Sequence, residues 1–444
     1  MRIVWSRAQQ LAAQTPDSRN RHVDFLRAVS IMIVVFGHWT LSAIYIEGGE
    51  LQLANMLQIE PWTRWLTWVF QVMPVFFIVG GYSNAASWEA ARRKGEAYGL
   101  WTATRLKRLI GPVVPLVLAW AAIGIIAHQA GVHPEMIRVG SQLALIPTWF
   151  LAVYVMVVVA APGTHWAWRR FGMLSFWAFA AGAVAVDTVA FSMDLGGLRW
   201  LNYAFIWLGV HHFGYAWKDG RIGGPGRALL WAAGGLAVLV FLVRFASYPV
   251  SMITVPGAEV SNSRPPTLAL MALGVFHGGL LLAVEAPVRR WLGRLGPWTA
   301  TVMVNGTIMT LYLWHVTVMV LMVGLANLMG GVGLGLQPGT AAWWLTRLPW
   351  TVVLLGVLAL FVGVFGRFEQ VSRKGPGDAL PTWRVAGGAA GVGFGLALLA
   401  LNGIGGDGLL GIRIEAVAAA LVGAAMILWP RLGRAPQPPA ADAV

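Results

Sequence analysis

Twelve stretches of mostly apolar residues recur along the chain, near 22–45, 65–86, 109–128, 142–161, 173–193, 200–217, 228–246, 266–284, 299–328, 350–366, 385–402 and 410–429. About 20 such residues are enough to cross a bilayer as a helix. Hydrocarbon offers no hydrogen-bond partner, so each span must satisfy its own backbone, and helices do this. The ninth stretch is long enough to tilt or to extend past the bilayer. Only 11% of the residues are charged, against about a quarter in an ordinary soluble domain. The expected fold is therefore an all-α polytopic membrane protein. The first stretch is too long for a signal-peptide core and carries charged groups, so it is expected to be retained.

The net charge of +14 does not imply a nucleic-acid partner. Basic residues fall in short clusters between apolar runs, such as Arg92-Arg93-Lys94, Arg169-Arg170 and Arg289-Arg290. Cytoplasmic loops of membrane proteins carry this bias. With the N-terminus in the cytoplasm, 25 of the 32 Lys and Arg fall on the cytoplasmic side and 7 outside. Both termini are thus expected in the cytoplasm of a cell whose plasma (inner) membrane holds the chain. The absence of cysteine excludes disulfides, thiolate metal sites and cysteine nucleophiles. No metal or bound cofactor is expected. The 24 tryptophans suit interfacial belts.

The chain divides into a basic N-terminal segment (1–21), ten spans (22–368), a Gly/Pro-containing cytoplasmic linker (369–384), an accessory two-span hairpin (385–429) and a disordered tail (430–444). Outer loops are short except for a Pro-rich stretch at 247–265 and a Gly-rich one at 330–348. No internal repeat is visible, which weakens a transporter reading.

Charged groups inside spans are costly and mark function. The segment VDFLRAVSIMIVVFGHW (23–39) carries Asp24, Arg27 and His38. Eleven residues at about 100° each bring Arg27 and His38 onto one helical face, some 16 Å apart along the axis. Arg27 lies near enough to the interface to snorkel, with Asp24 one turn below it. His38 is too deep to escape. It is either a hydrogen-bonded core histidine or a general base for a hydroxyl proton.

Arg105 and Arg108 precede Pro112 at the inner mouth of the third span and, three residues apart, share a helix face. Two guanidiniums there suit phosphates, although positive-inside anchoring explains a basic cluster equally well. Tyr312 and His315 sit one turn apart in the ninth span, with Asn305 nearby. Gly80 and Gly81 allow close helix approach or exposed backbone. His128, His211, His212, His277 and Asp187 are further polar groups with no individual signal.

Together these segments resemble the membrane acyltransferase-3 family, whose members O-acylate envelope glycans, lipids and secondary metabolites. The family's Arg-x10-His of the first span is similar to Arg27 and His38. Its Arg-x-x-Arg with following proline is similar to Arg105, Arg108 and Pro112. Its aromatic-glycine run resembles Phe76-Phe77-Ile78-Val79-Gly80-Gly81-Tyr82, with Gly80 where many members have serine. Trp149-Phe150-Leu151 and Tyr312-Leu313-Trp314-His315 complete the set. The resemblance covers roughly 20–368 and implies a ten-span acyltransferase-like bundle, with the C-terminal hairpin outside it.

It further implies acyl-CoA, most often acetyl-CoA, as cytoplasmic co-substrate. The acceptor is a hydroxyl of an envelope glycan, glycolipid or small molecule, reached from the outer side or the membrane. The extracytoplasmic esterase-like domain of some members is absent, so the membrane domain is expected to deliver the acyl group. On this reading His38 is the base, and Arg27, which either orients the donor or pairs with Asp24, completes the catalytic set with Asp24. Arg105 and Arg108 receive the donor, and Trp149, Tyr312 and His315 line the substrate pocket. Direct attack is favoured, because one histidine suffices, and an acyl-histidine intermediate stays open. A transporter or flippase of an envelope lipid or glycan, and a scaffold without activity, are the rival classes.

Overall fold

The computed structural model describes residues 2–16, 19–372 and 379–429. Its helices are α1 (Arg2–Ala13), α2 (Arg21–Leu41), α3 (Met56–Ile59), α4 (Thr63–Phe70), α5 (Met73–Arg93), α6 (Tyr98–Ile110), α7 (Val113–Gln129), α8 (Pro134–Leu145), α9 (Thr148–Phe171), α10 (Met173–Ser192), α11 (Asn202–Lys218), α12 (Pro225–Phe245), α13 (Leu268–Ala283), α14 (Glu285–Trp291), α15 (Leu295–Gly306), α16 (Ile308–Leu328), α17 (Ala341–Ser372), α18 (Thr382–Asn402) and α19 (Ile414–Leu428). Each of the twelve predicted spans contains an apolar helix. Among the described residues, nine helical stretches cross a bilayer by length and composition, or ten if the bent pair α13–α14 is one span. Two of these stretches join consecutive helices, α4 with α5 and α6 with α7. α11 and α19, at 17 and 15 residues, fall short of that length. The protein is an all-α polytopic helix bundle.

Several predicted boundaries move, each for a local reason. The helix of the first span, α2, ends at Leu41, and Ser42–Glu47 pairs antiparallel with Glu50–Asn55. Gly48 and Gly49, both at positive φ, make the turn, as a two-residue hairpin requires. The long ninth stretch is two helices broken at Thr307. The buried Glu369 carboxylate accepts from the Thr310 N–H (3.1 Å) and hydroxyl (2.9 Å), capping the second one. A carboxylate at a helix N-terminus compensates its unpaired N–H groups. Glu369 therefore belongs to the end of α17, although it fell in the predicted linker; part of that linker (373–378) and the 430–444 tail lie outside the described residues. The fourth span starts only at Thr148, after Pro147, and the residues before it form the separate α8. The N-terminal segment contains α1, which packs on α15, and Thr15 just beyond it accepts a hydrogen bond from Trp298 Nε1 (3.1 Å).

α5 and α11 cross in backbone contact, and the crossing rests on glycine. A Cβ on Gly81 would lie 2.0 Å from the His211 carbonyl oxygen, and one on Gly214 would lie 2.0 Å from that of Ile78. This is small-residue packing, in which backbone contact replaces side-chain interdigitation. α18 and α19 form the predicted hairpin, and α18 lies along α9. At one end of the bundle Asn20 caps α2 and donates to Tyr82 Oη (3.3 Å) and Glu285 Oε1 (3.2 Å), with Trp217 Nε1 on Glu285 Oε2 (2.9 Å). We term this the basic end. The β-hairpin marks the opposite end.

Candidate active site

His38 stands one turn before the end of α2, where Ser42 Oγ donates to its carbonyl (2.8 Å). Its Nδ1 lies 2.9 Å from Nε2 of His315 on α16. The second ring is fixed in turn, because His315 Nδ1 is 2.6 Å from the Tyr312 carbonyl. A carbonyl only accepts, so His315 Nδ1 carries the proton and its Nε2, in the neutral ring, accepts. His38 Nδ1–H must then be the donor, which leaves the lone pair on His38 Nε2. This nitrogen has no side-chain hydrogen-bond partner among the described residues. Trp39 Nε1 donates to the His315 carbonyl (2.9 Å) and Tyr312 Oη to the Pro147 carbonyl (2.6 Å). Two helices and the α8–α9 junction thereby hold the pair in register. A histidine whose other nitrogen is committed to a partner has a defined tautomer.

His38 lines a cavity of about 1240 Å³ together with Trp149 and Tyr312. His315 does not line it. It is fully buried and reaches the cavity only through His38, so its predicted place in the pocket is corrected to a place behind it. Ala400 and Leu401 of the C-terminal hairpin also form part of the wall. They are held there by Gln142 Nε2 on the Leu401 carbonyl (2.6 Å) and Thr148 Oγ1 on the Leu396 carbonyl (3.1 Å). The hairpin is thus part of the pocket, not an appendage.

Arg27 points the same way as His38 but meets α5, donating to Ser83 Oγ (3.1 Å). Arg105 comes from the other side to the Ser83 carbonyl (3.0 Å) and the Ser87 hydroxyl, and lies over the Trp101 ring (5.3 Å). The two guanidiniums thus converge on one turn of α5. Arg108 does not join them; it stays exposed, so the predicted Arg105–Arg108 pair divides between an inner and an outer position. Asp24 is 3.7 Å from Arg27, but its closer partner is Arg19, at 2.5 and 3.1 Å. That pairing holds the Arg19 guanidinium above its ordinary pKa. Neither Asp24 nor the arginines line the cavity around His38.

Between the arginines and the histidines lies an aromatic cluster. Phe77 stacks on Trp207 (4.3 Å), Phe150 on Tyr154 (5.4 Å), and Phe150 meets Tyr312 edge-on (5.6 Å). Gly80 has a local reason: a Cβ there would lie 2.7 Å from Tyr154 Oη. The tyrosine hydroxyl therefore fills the place where a side chain at position 80 would begin. Ser83, Ser87, Tyr154, Arg19 and Leu401 escaped sequence reasoning. Ser83 had the one available signal, a serine on the glycine-bearing span, whereas the others depend on contacts between distant helices. His211 and Asp187 take structural partners, Asn84 and Asn202 respectively.

Fold and site together define a polytopic helical membrane protein with a paired histidine at the wall of an intramembrane cavity. Residues 20–367 match the acyltransferase-3 family, described as an acyltransferase domain, and the chain belongs to that family. No curated protein and no solved structure matches it. The match makes the protein a membrane acyltransferase working at a lipid bilayer between an acyl donor and an acceptor. It stops short of α18 and α19.

Proposed function

We propose that the protein is an O-acyltransferase moving an acyl group, acetyl in the simplest case, from cytoplasmic acyl-CoA to a hydroxyl of an envelope glycan, glycolipid or exported metabolite. The observation that carries this reading is the His38–His315 pair, which presents a lone pair on His38 Nε2 at the cavity. In the step we envisage, His38 Nε2 takes the acceptor's hydroxyl proton as the oxygen attacks the thioester carbonyl. The C–S bond then breaks, the ester forms, and the departing thiolate takes back the proton. A positioned base supplies roughly 10²–10⁴-fold in rate. The basic end is the cytoplasmic one on this reading. Exposed Arg108 meets the CoA phosphates first, and Arg105 with Arg27 holds the donor deeper. An acyl-histidine on His38 is compatible with the same geometry. A flippase would need none of these donor contacts.

The reading is tested by mass spectrometry of envelope lipids and glycans from a deletion strain complemented with wild type, His38→Ala or Arg105→Ala. An acyl-sized mass lost on deletion and restored only by wild type supports it and names the acceptor. Accumulation of an unmodified lipid with no acyl change points to the flippase instead. Because the chain has no cysteine, CoA thiol release can be followed without protein background. In that assay Arg105→Ala is expected to raise the acetyl-CoA KM by about 10–100-fold, the worth of a charged hydrogen-bonded group. Arg105→Lys should recover only part, since an ammonium lacks the planar face that lies over the Trp101 ring.

The hairpin wall gives a second expectation. Leu401→Trp adds bulk to the cavity and should lower the rate with large acceptors more than with small alcohols. Equal rates for both would remove Leu401 from the acceptor path.

A further inference from the structure

The His38 cavity has a polar region that the transfer step does not use. It lies where the 247–267 loop meets the cavity, with Thr254, Ser263 and Arg264 beside Tyr203 of α11. In sequence this Pro-rich loop looks like an ordinary connection, yet it is fixed at many points. The buried Asp187 accepts from Tyr248 Oη (2.9 Å) and the Leu268 N–H (2.8 Å). Asn262 donates to the Pro249 and Ser251 carbonyls (2.7 and 3.0 Å), and Arg199 donates to the Ser261 carbonyl (2.8 Å). From α4, Thr67 Oγ1 accepts the Met252 N–H (2.8 Å) and Trp68 donates to the Val250 carbonyl (2.7 Å). Arg264 therefore stands on a rigid platform, and its own N–H is held by Ser261 Oγ (3.2 Å).

Among the described residues lining the cavity, Arg264 alone is charged. It is exposed and makes no ion pair or side-chain hydrogen bond among the described residues. Arg199 nearby has the Ser261 carbonyl, and Arg64 at the same end has the Leu57 carbonyl (2.8 Å). The other side of the cavity is apolar and open to the surface, with Val29, Leu66, Phe70 and Trp291 between 36% and 53% exposed. One cavity thus offers a planar guanidinium fork, a base for a hydroxyl, and a hydrocarbon wall.

We propose that Arg264 binds an anionic group, phosphate or carboxylate, of an amphiphilic acceptor whose apolar chain lies along Val29, Leu66 and Phe70. The guanidinium fork matches the paired oxygens of either anion, and the rigid loop spares the ordering cost of binding. The proposal rests on the cavity being the acceptor site for His38. It sets the acceptor class, an anionic lipid-borne molecule, apart from neutral glycans.

The test uses the full-length protein in phosphatidylcholine nanodiscs, titrated by tryptophan fluorescence with n-dodecyl phosphate, n-dodecanoate, n-dodecyl maltoside and inorganic phosphate. Arg264→Ala should weaken the two anionic amphiphiles about tenfold or more, as the loss of a charge-assisted contact predicts. Arg264→Lys should restore part of the loss, and dodecyl maltoside should bind alike to all variants. Arg264-dependent binding of inorganic phosphate as well would mean that the site reads the anion however it is carried. Binding of the amphiphiles alone would mean that the chain is required. Unchanged amphiphile binding in Arg264→Ala, or an equal loss for the maltoside, overturns the proposal. Arg264-dependent binding without any CoA release from acetyl-CoA would then count against the transferase reading alone.

Discussion

His38→Ala is expected to lower acyl transfer by about 10²–10⁴-fold and to leave the bundle folded. Folding survives because Trp39, not His38, carries the α2 hydrogen bond to the His315 carbonyl. The neighbouring ring gives the sharper test. His315→Ala removes the acceptor for His38 Nδ1–H, so the His38 proton is free to move to Nε2 and occupy the lone pair that the reaction needs. Transfer should fall about 10–100-fold, the size seen when the hydrogen-bond partner that orients a metal-bound histidine is lost. His315→Gln keeps a side-chain carbonyl that can accept from His38 Nδ1–H and should recover a good part of the rate. Thiol release in nanodiscs measures all three, and size-exclusion profiles check the fold. Full activity in His38→Ala would make the pair a structural clasp and end the general-base assignment.

Gly81→Val is expected to abolish accumulation of folded protein. Its Cβ would stand 2.0 Å from the His211 carbonyl oxygen, and neither atom can move without shifting a helix axis. Overpacking ordinarily costs about 1–3 kcal/mol, and here the obstruction is backbone against backbone in the centre of the bundle. Gly214→Ala should fail likewise, since its Cβ meets the Ile78 carbonyl from the other side at the same distance. Gly234→Ala on α12 is the control. Nothing lies within 4 Å of its Cβ, and alanine is the better helix former by about 0.5–1 kcal/mol. Thermal unfolding in detergent, followed by size exclusion, should therefore show losses for the first two and a small gain for the third. A stable Gly81→Val protein would mean that α5 and α11 are not in backbone contact.

The residues on α2 show why part of the site could be read early. Helical periodicity alone brings Arg27 and His38 onto one face, and their cost in hydrocarbon singled them out. His315 was visible as a polar group one turn from Tyr312, but its partner was not, because 277 residues separate it from His38. Arg105 and Arg108 were read as a pair from spacing. Spacing places side chains on a face but says nothing of the neighbour opposite, and only the turn of α5 at Ser83 draws Arg105 inward. The apolar count also ran past Leu41 and through Thr307, because Ile44 and Ile46 are as hydrophobic in a strand as in a helix, and because the Glu369 cap comes from 60 residues away.

By itself the sequence determined the class of the molecule: twelve apolar stretches, few charges and a basic bias permit little but a helical bundle in a bilayer. It also determined which polar residues had to be explained, and their order carried the family resemblance. The tertiary structure decided what each of them touches. It paired His38 with His315 through ring nitrogens 2.9 Å apart. It joined Arg27 to Arg105 through Ser83, and it turned an apparent appendage, α18, into a wall of the cavity. The physical reason is one of range. Hydropathy and helical period are local sums over neighbours in the chain, whereas a hydrogen bond between two side chains depends on the placement of helices to within a fraction of an ångström, which the packing of the whole bundle sets.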